Sequence, residues 1–338
     1  MPLYPLSLCL VMRRTRPQFF SLSASSTFHP RQIRFIGCCN GVCGRYLGAE
    51  KAARKIRFSR FLKELNVAYR WGPMIEEVPT GRRLKALKGL KIMSLKLADA
   101  TSNVVNTSND LVVIGGDHSC AIGTWSGVAN AVRRNGQLGL IWVDAHLDAH
   151  TPETSQSGNL HGTPVAHLLG YGSKYLANIF NFSPKILPKN LVYIGTRSYE
   201  AAEESLLKSM NVKIFHQKIV DNVGIEKVLN KAIDIVSNGT VGFGISIDVD
   251  GFRVEDAPGT GTPENGGIIA EEFLKAIKQA DLRKLLATEI AEFMPDKDVS
   301  HKTERLLIQL INAIYVNKFS KETEEETKKF SLWKKPIK

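Results

Sequence analysis

The chain has 338 residues, of which 43% are hydrophobic and 23% charged, and a formal net charge of +12. This balance is typical of a folded globular protein and excludes a disordered chain, and the length suffices for one large α/β domain or two small ones. Because no apolar run reaches the roughly 18 residues that a membrane-spanning helix requires, the sequence predicts a soluble protein without a membrane partner.

The beginning of the chain differs in composition from the rest. Six arginines precede the first acidic residue, Glu50. An Arg- and Ser-rich segment without acids is typical of a mitochondrial transit peptide, whereas a secretory signal carries its charge ahead of the apolar run. We interpret residues 1–32 as a targeting leader or a disordered segment and predict a mitochondrial location, with the cytoplasm as the alternative. Since no nucleic-acid-binding motif accompanies the basic charge, we predict no nucleic-acid partner.

The five cysteines are odd in number and clustered near the beginning of the chain; they are Cys9, Cys38, Cys39, Cys43 and Cys120. This pattern indicates a reducing compartment and not a disulfide framework. The segment 38–43 lacks the paired C-x-x-C spacing of a structural zinc site, so we predict no zinc there.

Short apolar runs alternate with amphipathic stretches along residues 33–318. The runs are IRFIG (33–37), LVVIGG (111–116), LGLIWVD (138–144), LVYIGTR (191–197), VGFGISIDVD (241–250) and LLATEIAEF (285–293). Uniformly apolar runs suit strands that are buried on both faces of a parallel sheet. The amphipathic stretches at 49–65, 82–98, 225–236 and 271–279 predict helices, and the alternation predicts a doubly wound α/β domain. We interpret residues 319–338 as a charged tail.

Polar side chains follow four of these runs at the points where the strands end. They are His118 after the second run, Asp144, His146 and Asp148 after the third, Asp248 and Asp250 at the end of the fifth, and Glu289 and Glu292 at the end of the sixth. Ligands of open parallel sheets bind outside the carboxyl ends of the strands. The sequence therefore predicts that these side chains converge on one site.

Six of these side chains are candidate metal ligands, four carboxylates and two imidazoles without a thiolate: His118, Asp144, His146, Asp148, Asp248 and Asp250. Crowded carboxylates repel each other and resist burial, so a cation has to compensate them. We expect Asp144, His146 and Asp148 to share one face of an extended backbone, and Asp248 and Asp250 to do the same. Oxygen and nitrogen ligands favour manganese-like ions over structural zinc. Six ligands are too many for one ion with an open position, and they suit two ions about 3.5–4 Å apart.

Six motifs, in this order, resemble the arginase family of the ureohydrolase superfamily: GGDHS (115–119), WVDAHLD (142–148), SGNLHG (157–162), SIDVDG (246–251), GTGTP (259–263) and EIAEF (289–293). The resemblance extends over about residues 33–314. It implies a three-layer α/β/α fold with a mostly parallel sheet, and a homo-oligomer, either a trimer or a hexamer. It also implies two Mn²⁺ ions per subunit, bound by His118, Asp144, His146, Asp148, Asp248 and Asp250.

The resemblance further implies the roles of the catalytic residues. A hydroxide that bridges the two metal ions attacks the guanidinium carbon, and Asp148 holds or relays its proton. His161 acts as general acid or proton shuttle. Glu292 binds and orients the cationic guanidino group, and Thr262 lies where the family holds that group. For Glu289 we expect a structural role.

Other positions correspond to the contacts that the family makes with the far end of the substrate. Ser157 and Asn159 match positions that recognise an α-carboxylate. His150 stands where the family pattern has asparagine, and Glu200 stands where many members have an aspartate that faces the α-amino group. His150 can donate to a carboxylate and Glu200 can accept from an amine, although both side chains differ in length from those of the family pattern. We therefore predict that His150 and Glu200 contact the substrate.

We therefore predict an arginase that hydrolyses a small-molecule guanidino substrate, L-arginine, to L-ornithine and urea. The alternative is an agmatinase or another guanidino-compound ureohydrolase. The SGNLHG loop favours arginine, because agmatine has no α-carboxylate for it to bind. A metal-dependent amide deacetylase pairs its ligands differently, and a non-catalytic protein would have no use for His161 and Glu292.

Overall fold

The computed structural model describes residues 32–76, 79–107 and 109–333, with side chains up to residue 327. The predicted leader, apart from Gln32, lies outside the described residues. Gln32 is already the first residue of a strand.

The core of the molecule is an eight-stranded sheet in which all described pairs are parallel. The strands are β1 (Gln32–Cys38), β2 (Ala68–Ile75), β3 (Asp110–Ile114), β4 (Leu138–Val143), β5 (Leu191–Ile194), β6 (Lys213–Phe215), β7 (Gly242–Asp248) and β8 (Leu285–Ala291). Their order in the sheet is β2-β1-β3-β8-β7-β4-β5-β6. All six predicted runs are strands, and the parallel α/β class is confirmed.

The sequence did not predict β2 and β6, which are the two edge strands. Seven of the eight residues of β2 are exposed or only partly buried, and β6 has three residues. An edge strand that faces solvent does not need a continuous apolar run, so its sequence lacks the signal that marks the central strands.

Helices cover both faces of the sheet. They are α1 (Ala52–Arg57), α2 (Leu87–Asn106), α3 (Cys120–Val132), α4 (Pro164–Leu168), α5 (Lys174–Ala177), α6 (Ala201–Ser209), α7 (Gln217–Val223), α8 (Ile225–Ser237), α9 (Ala270–Ile277) and α10 (Lys302–Trp333). None of these described helices is long and apolar enough to cross a membrane.

Alternate strand residues supply two separate hydrophobic clusters, because successive side chains point to opposite faces of a sheet. In β4, Ile141 and Val143 belong to the cluster that contains residues of α1, α8, α9 and α10. Leu140 and Trp142 belong to the cluster that contains residues of α2 and α3. The architecture is therefore the three-layer α/β/α arrangement that the family resemblance implies.

Several predicted boundaries differ from the structure, among them that of the stretch 82–98, where a 3₁₀ turn precedes α2. The stretch 49–65 is divided into a 3₁₀ turn, α1 and a second 3₁₀ turn, Arg60–Glu64. The boundary placed between residues 318 and 319 falls within α10, which continues from Lys302 to Trp333. Helix α10 is held to the sheet partly by Tyr315, whose hydroxyl donates to the backbone oxygen of Leu111 at 2.7 Å.

Candidate metal centre

Four neighbouring strands, β3, β8, β7 and β4, end at the same edge of the sheet. The polar residues that follow them meet there, as predicted from the direction of parallel strands. Gly116 permits the turn after β3, since a Cβ at this position would lie 1.8 Å from the carbonyl oxygen of Asn40. This close approach places Asp117 and His118 over the strand ends, and both are fully buried.

His118 faces three carboxylates. Its Nδ1 atom lies 3.2 Å from Asp144 Oδ2, 3.2 Å from Asp148 Oδ2 and 3.1 Å from Asp248 Oδ2. Although it is buried, this nitrogen makes no hydrogen bond. These separations are suitable for ligand atoms that surround a single ion at about 2.1 Å.

The other side of the His118 ring determines which nitrogen carries the proton. Nε2 lies 3.0 Å from Ser246 Oγ, and that hydroxyl donates to Glu289 Oε1 at 2.9 Å. Because the hydroxyl proton is directed at Glu289, the serine oxygen accepts from Nε2–H. The unpartnered Nδ1 lone pair therefore points at three carboxylate oxygens, an arrangement that calls for a cation between them.

A second set of ligand atoms adjoins the first. His146 Nδ1 lies 3.4 Å from Asp144 Oδ1 and 3.3 Å from Asp250 Oδ2. The two oxygens of Asp144 thus face different histidines, one in each set. The two sets, His118–Asp144–Asp248 and Asp144–His146–Asp250, are each compact enough to hold a metal ion. A shared carboxylate is the arrangement expected of a two-ion site.

Trp142 fixes the shared carboxylate from the core side. Its indole Nε1 donates to Asp144 Oδ2 at 2.8 Å, and its ring stacks on His118 with the centres 4.2 Å apart. Trp142 therefore orients Asp144, which is common to both sets, and the imidazole of His118.

The residues converge at the predicted edge of the sheet, but the extended backbone that we expected for them is wrong. Strand β4 ends at Val143, so Asp144, His146 and Asp148 do not lie on an extended backbone. Asp148 has a φ of 48°, in the left-handed region. Asp250 lies in a 3₁₀ turn after β7. Turns, and not the two-residue period of a strand, bring the carboxylates together.

The electrostatics of the cluster reflect crowding of like charges. Burial, together with the neighbouring carboxylates Asp250 and Asp144, raises the pKa of Asp248 well above its usual range. Burial and Asp144 also raise the pKa of Asp148. For His118, burial acts to lower the pKa, but the surrounding carboxylates outweigh it and raise the pKa well above the ordinary value. The cluster therefore takes up positive charge in the form of protons when no cation is bound.

The two candidate catalytic residues contact each other. His161 Nδ1 lies 3.0 Å from Glu292 Oε1, which also accepts from the backbone N–H of His118 at 2.8 Å. Burial acts to lower the pKa of His161, but the Glu292 carboxylate outweighs it and raises the pKa to about 9. His161 lies in a 3₁₀ turn, Leu160–Gly162, and its backbone N–H donates to Cys43 O at 3.2 Å.

Five of the six predicted substrate contacts line one cavity of about 710 Å³ beside the ligand cluster, whereas Glu292 is buried and is not among its lining residues. The lining includes Asp148, His150, Ser157, Asn159, His161, Glu200, Asp248 and Thr262. Thr262 donates its hydroxyl to Asp250 Oδ2 at 2.9 Å. The cavity size is within the usual range for a small-molecule site.

His150 is already paired with acidic side chains. Its Nε2 lies 2.8 Å from Glu200 Oε2 and 3.3 Å from Glu203 Oε2, while Nδ1 lies 3.1 Å from Thr154 Oγ1. Burial and a hydrogen bond shared with Glu200 raise the pKa of Glu203 to about 8. His150 therefore joins the acidic part of the cavity.

The sequence reasoning missed several residues of the cavity lining, namely Arg45, Arg82, Arg83 and Glu203. A local signal existed for Glu203. It lies three residues after Glu200, and the two residues form a reciprocal capping box at the start of α6. For the arginines no motif or spacing in the sequence marks a role.

Comparisons with known proteins agree with this geometry. The model of the arginase family matches residues 36–316. The arginase of Bacillus caldovelox is 39% identical over 70% of this chain and 78% of its own length, and the mitochondrial arginase-2 of Rattus norvegicus is 35% identical over 70% and 68%. The crystal structure of Entamoeba histolytica arginase in complex with L-ornithine aligns with a TM-score of 0.75 and 28% identity, covering 84% of this chain and 98% of that one. The chain therefore belongs to the arginase family.

Proposed function

We propose that this protein is an arginase that hydrolyses L-arginine to L-ornithine and urea on two Mn²⁺ ions. The observation that carries the proposal is Asp144, whose two carboxylate oxygens face two different histidines in adjoining sets of ligand atoms. The set around His118 would hold one ion with Asp144, Asp148 and Asp248, and the set around His146 would hold the other with Asp144 and Asp250. Oxygen and nitrogen donors without sulfur suit manganese.

The metal pair supplies a water molecule that is activated for attack at neutral pH. The side chains of the chain then have three tasks: to hold the guanidinium group, to take a proton from the attacking water, and to give one to the departing amine. Asp148 borders both the ligand cluster and the cavity, so its carboxylate is placed to accept and relay the first proton. Glu292, also buried at the cluster, offers a negative charge for the guanidinium group.

His161 is the residue that we assign to protonation of the leaving amine. In the metal-free protein burial acts to lower its pKa, but Glu292 outweighs burial and raises the pKa to about 9, which favours the protonated form. Nδ1 is engaged with Glu292, so Nε2 is the nitrogen available to donate. A neutral amine leaves more readily than an amide anion, because the proton transfer avoids the build-up of negative charge.

The direct test uses manganese-loaded protein with L-arginine and agmatine in separate assays of urea release. Urea from arginine supports the proposal. Urea from agmatine alone would identify an agmatinase instead, and no urea from either compound would contradict both enzyme functions.

We also propose that residues 1–32 direct the protein to mitochondria. The support is their Arg- and Ser-rich composition without acids. Sequencing the N-terminus of the native protein tests this, since import predicts a processed N-terminus and an intact Met1 would contradict it.

For the assembly we propose a homo-oligomer, a trimer or a hexamer, which is what the family resemblance implies. Light scattering coupled to size-exclusion chromatography measures the mass directly. A mass of one 37.4 kDa chain would contradict the proposal.

A further inference from the structure

Three arginines, Arg45, Arg82 and Arg83, line the same cavity as the metal-ligand cluster, and we refer to them as the arginine rim. They come from the loop after β1 and from the segment that leads into a 3₁₀ turn, Arg83–Ala86. All three residues are exposed. Because a guanidinium group is charged at every accessible pH, the cavity contains permanent positive charge in addition to its carboxylates.

Arg82 holds the two segments together. Its Nη2 atom donates to the backbone oxygens of Gly44 at 3.0 Å and Arg45 at 2.9 Å. Two hydrogen bonds from the same guanidinium nitrogen fix Arg45 relative to the segment that carries Arg83. Arg82 is therefore a positioning residue of the rim.

Arg83 lies beside the loop that contains Ser157 and Asn159. A Cβ built on Gly158 would be 3.6 Å from Arg83 Cβ, which is ordinary van der Waals contact. Arg83 has a φ of 56°, a left-handed conformation that non-glycine residues rarely adopt. Such conformations concentrate at ligand-binding sites, where the surrounding structure enforces them.

Two of the three arginines of the rim, Arg45 and Arg83, have no acidic partner among the described residues. Within the part of the chain that the structure describes, neither Arg45 nor Arg83 has a carboxylate oxygen within 4.0 Å of its guanidinium nitrogens. The guanidinium carbon of Arg45 lies 5.3 Å from the centre of the Tyr46 ring. His150, by contrast, already faces Glu200 at 2.8 Å.

We infer that Arg45 and Arg83, positioned by Arg82, are further specificity-determining residues that bind the carboxylate end of the substrate. This inference rests on the function proposed above and adds two side chains to its substrate contacts. A guanidinium group binds a carboxylate through paired, charge-assisted hydrogen bonds. A decarboxylated guanidino amine keeps both cationic groups of the amino acid but lacks the carboxylate, so the arginine rim repels it while attracting the amino acid.

The experiment compares the wild-type holoenzyme with Arg45→Gln, Arg83→Gln and Arg83→Lys. Arg134→Gln is the matched control, because it removes the same charge from an exposed position shortly before the first residue of β4, at the opposite edge of the sheet from the cavity. Urea release from L-arginine and from agmatine gives KM and kcat. Calorimetric titration with L-ornithine and with putrescine, which differ by the carboxylate, measures binding without turnover.

Each Gln variant of the rim should raise KM for arginine about 10- to 100-fold, the usual effect of losing a hydrogen bond between charged groups, with kcat changed less than about twofold. Affinity for ornithine should fall equally, and neither agmatine turnover nor putrescine binding should weaken. Arg83→Lys should recover part of the loss, and Arg134→Gln should behave like the wild type. Equal losses for compounds with and without the carboxylate, or no loss for either, would overturn the inference.

The titrations separate this inference from the proposed function. A wild-type protein that releases no urea from arginine but binds ornithine through Arg83 would contradict the activity and support the arginine rim. A wild-type protein that releases urea but binds ornithine and putrescine equally would support the activity and contradict the role of the arginine rim. Release of urea without binding of either compound would have the same meaning.

Discussion

His161 Nδ1 lies 3.0 Å from Glu292 Oε1, although 131 positions separate the two residues in the chain. The contact joins the turn Leu160–Gly162 to the end of β8. It gives the imidazole a negatively charged partner, which outweighs the effect of burial and raises its pKa to about 9. Glu292, which we propose to bind the guanidino group of the substrate, thus also favours the protonated form of His161, the proposed general acid.

Replacing His161 with asparagine should lower kcat about 10²- to 10⁴-fold, the range that general acid–base catalysis contributes. A general acid works in its protonated form, so wild-type activity should decline as the pH rises through the pKa of His161, which is about 9 in the metal-free protein and which bound cations would lower. The variant should lack that decline. The measurement is kcat against pH between 6 and about 10, with His216→Gln as a control away from the cavity. A variant with the wild-type alkaline decline would show that another group titrates.

Asp248→Asn should weaken manganese binding and urea release together. The variant keeps the shape of the side chain but removes one of the three carboxylates that face His118. Manganese at about a hundredfold excess over its dissociation constant should raise the melting temperature of the wild type by about 5 °C, and that of the variant by much less. Differential scanning calorimetry and metal analysis after dialysis check this, with the exposed Asp234→Asn as control. An unchanged metal content in Asp248→Asn would remove this residue from the ligand set.

Without metal, the order of stabilities should be reversed. Asp248 is buried among like charges, which raise its pKa, so a neutral amide at this position relieves repulsion. Metal-free Asp248→Asn should therefore melt at or above the temperature of metal-free wild type. A clearly lower melting temperature would indicate that the carboxylate stabilises the fold without a cation.

Trp142→Phe should lower manganese affinity about 10- to 100-fold, the usual effect of losing a group that orients a metal ligand. The change removes the 2.8 Å hydrogen bond to Asp144 and keeps an aromatic ring against His118. Competition with a chelator measures the affinity. Trp125→Phe is the matched control, since this buried tryptophan makes no hydrogen bond through Nε1. Equal losses in both variants would indicate a packing effect.

His167 should make the stability depend on pH. Burial lowers the pKa of this histidine to about 4, whereas in the unfolded chain it is about 6.5. As the pH falls below about 6.5, the unfolded state binds a proton that the folded state does not bind. The contribution of His167 to the free energy of unfolding is therefore fully present above about pH 6.5 and decreases toward pH 4. The loss from this residue is about 3 kcal/mol.

Urea unfolding of metal-free wild type and His167→Gln at several pH values between 4 and about 7 isolates this contribution. Glutamine can still donate to the backbone oxygen of Thr163, as Nδ1 of His167 does at 2.7 Å, but it does not titrate. The difference between the two proteins should shrink or reverse in favour of the variant as the pH falls. Parallel pH curves would contradict the assignment.

Much of the fold was predictable because the central strands are buried on both faces. The six runs that form β1, β3, β4, β5, β7 and β8 carry continuous apolar residues. The edge strands β2 and β6 were not predictable from the same pattern, since one is largely exposed and the other has three residues. The two-residue period of a strand also gave a wrong prediction for Asp148, which reaches the cluster through a left-handed turn and not along a strand.

By itself, the sequence determined which side chains meet at the ligand cluster. Parallel strands end at the same edge of a sheet, so topology brings the motifs that follow β3, β4 and β7 to that edge, and the turns after these strands complete the cluster. Their chemistry, oxygen and nitrogen without sulfur, then indicates the kind of ion.

Only the tertiary structure decided how charge is distributed over the rest of the cavity. His150 pairs with Glu200, 50 positions away, and Arg82 lies 38 positions from the carbonyl of Gly44 that it holds. The stretch from residue 82 looked like the start of a helix, yet Arg83 is left-handed and α2 begins at Leu87. Such contacts depend on loops whose course is set by packing against the rest of the molecule, and local sequence patterns carry no record of that packing.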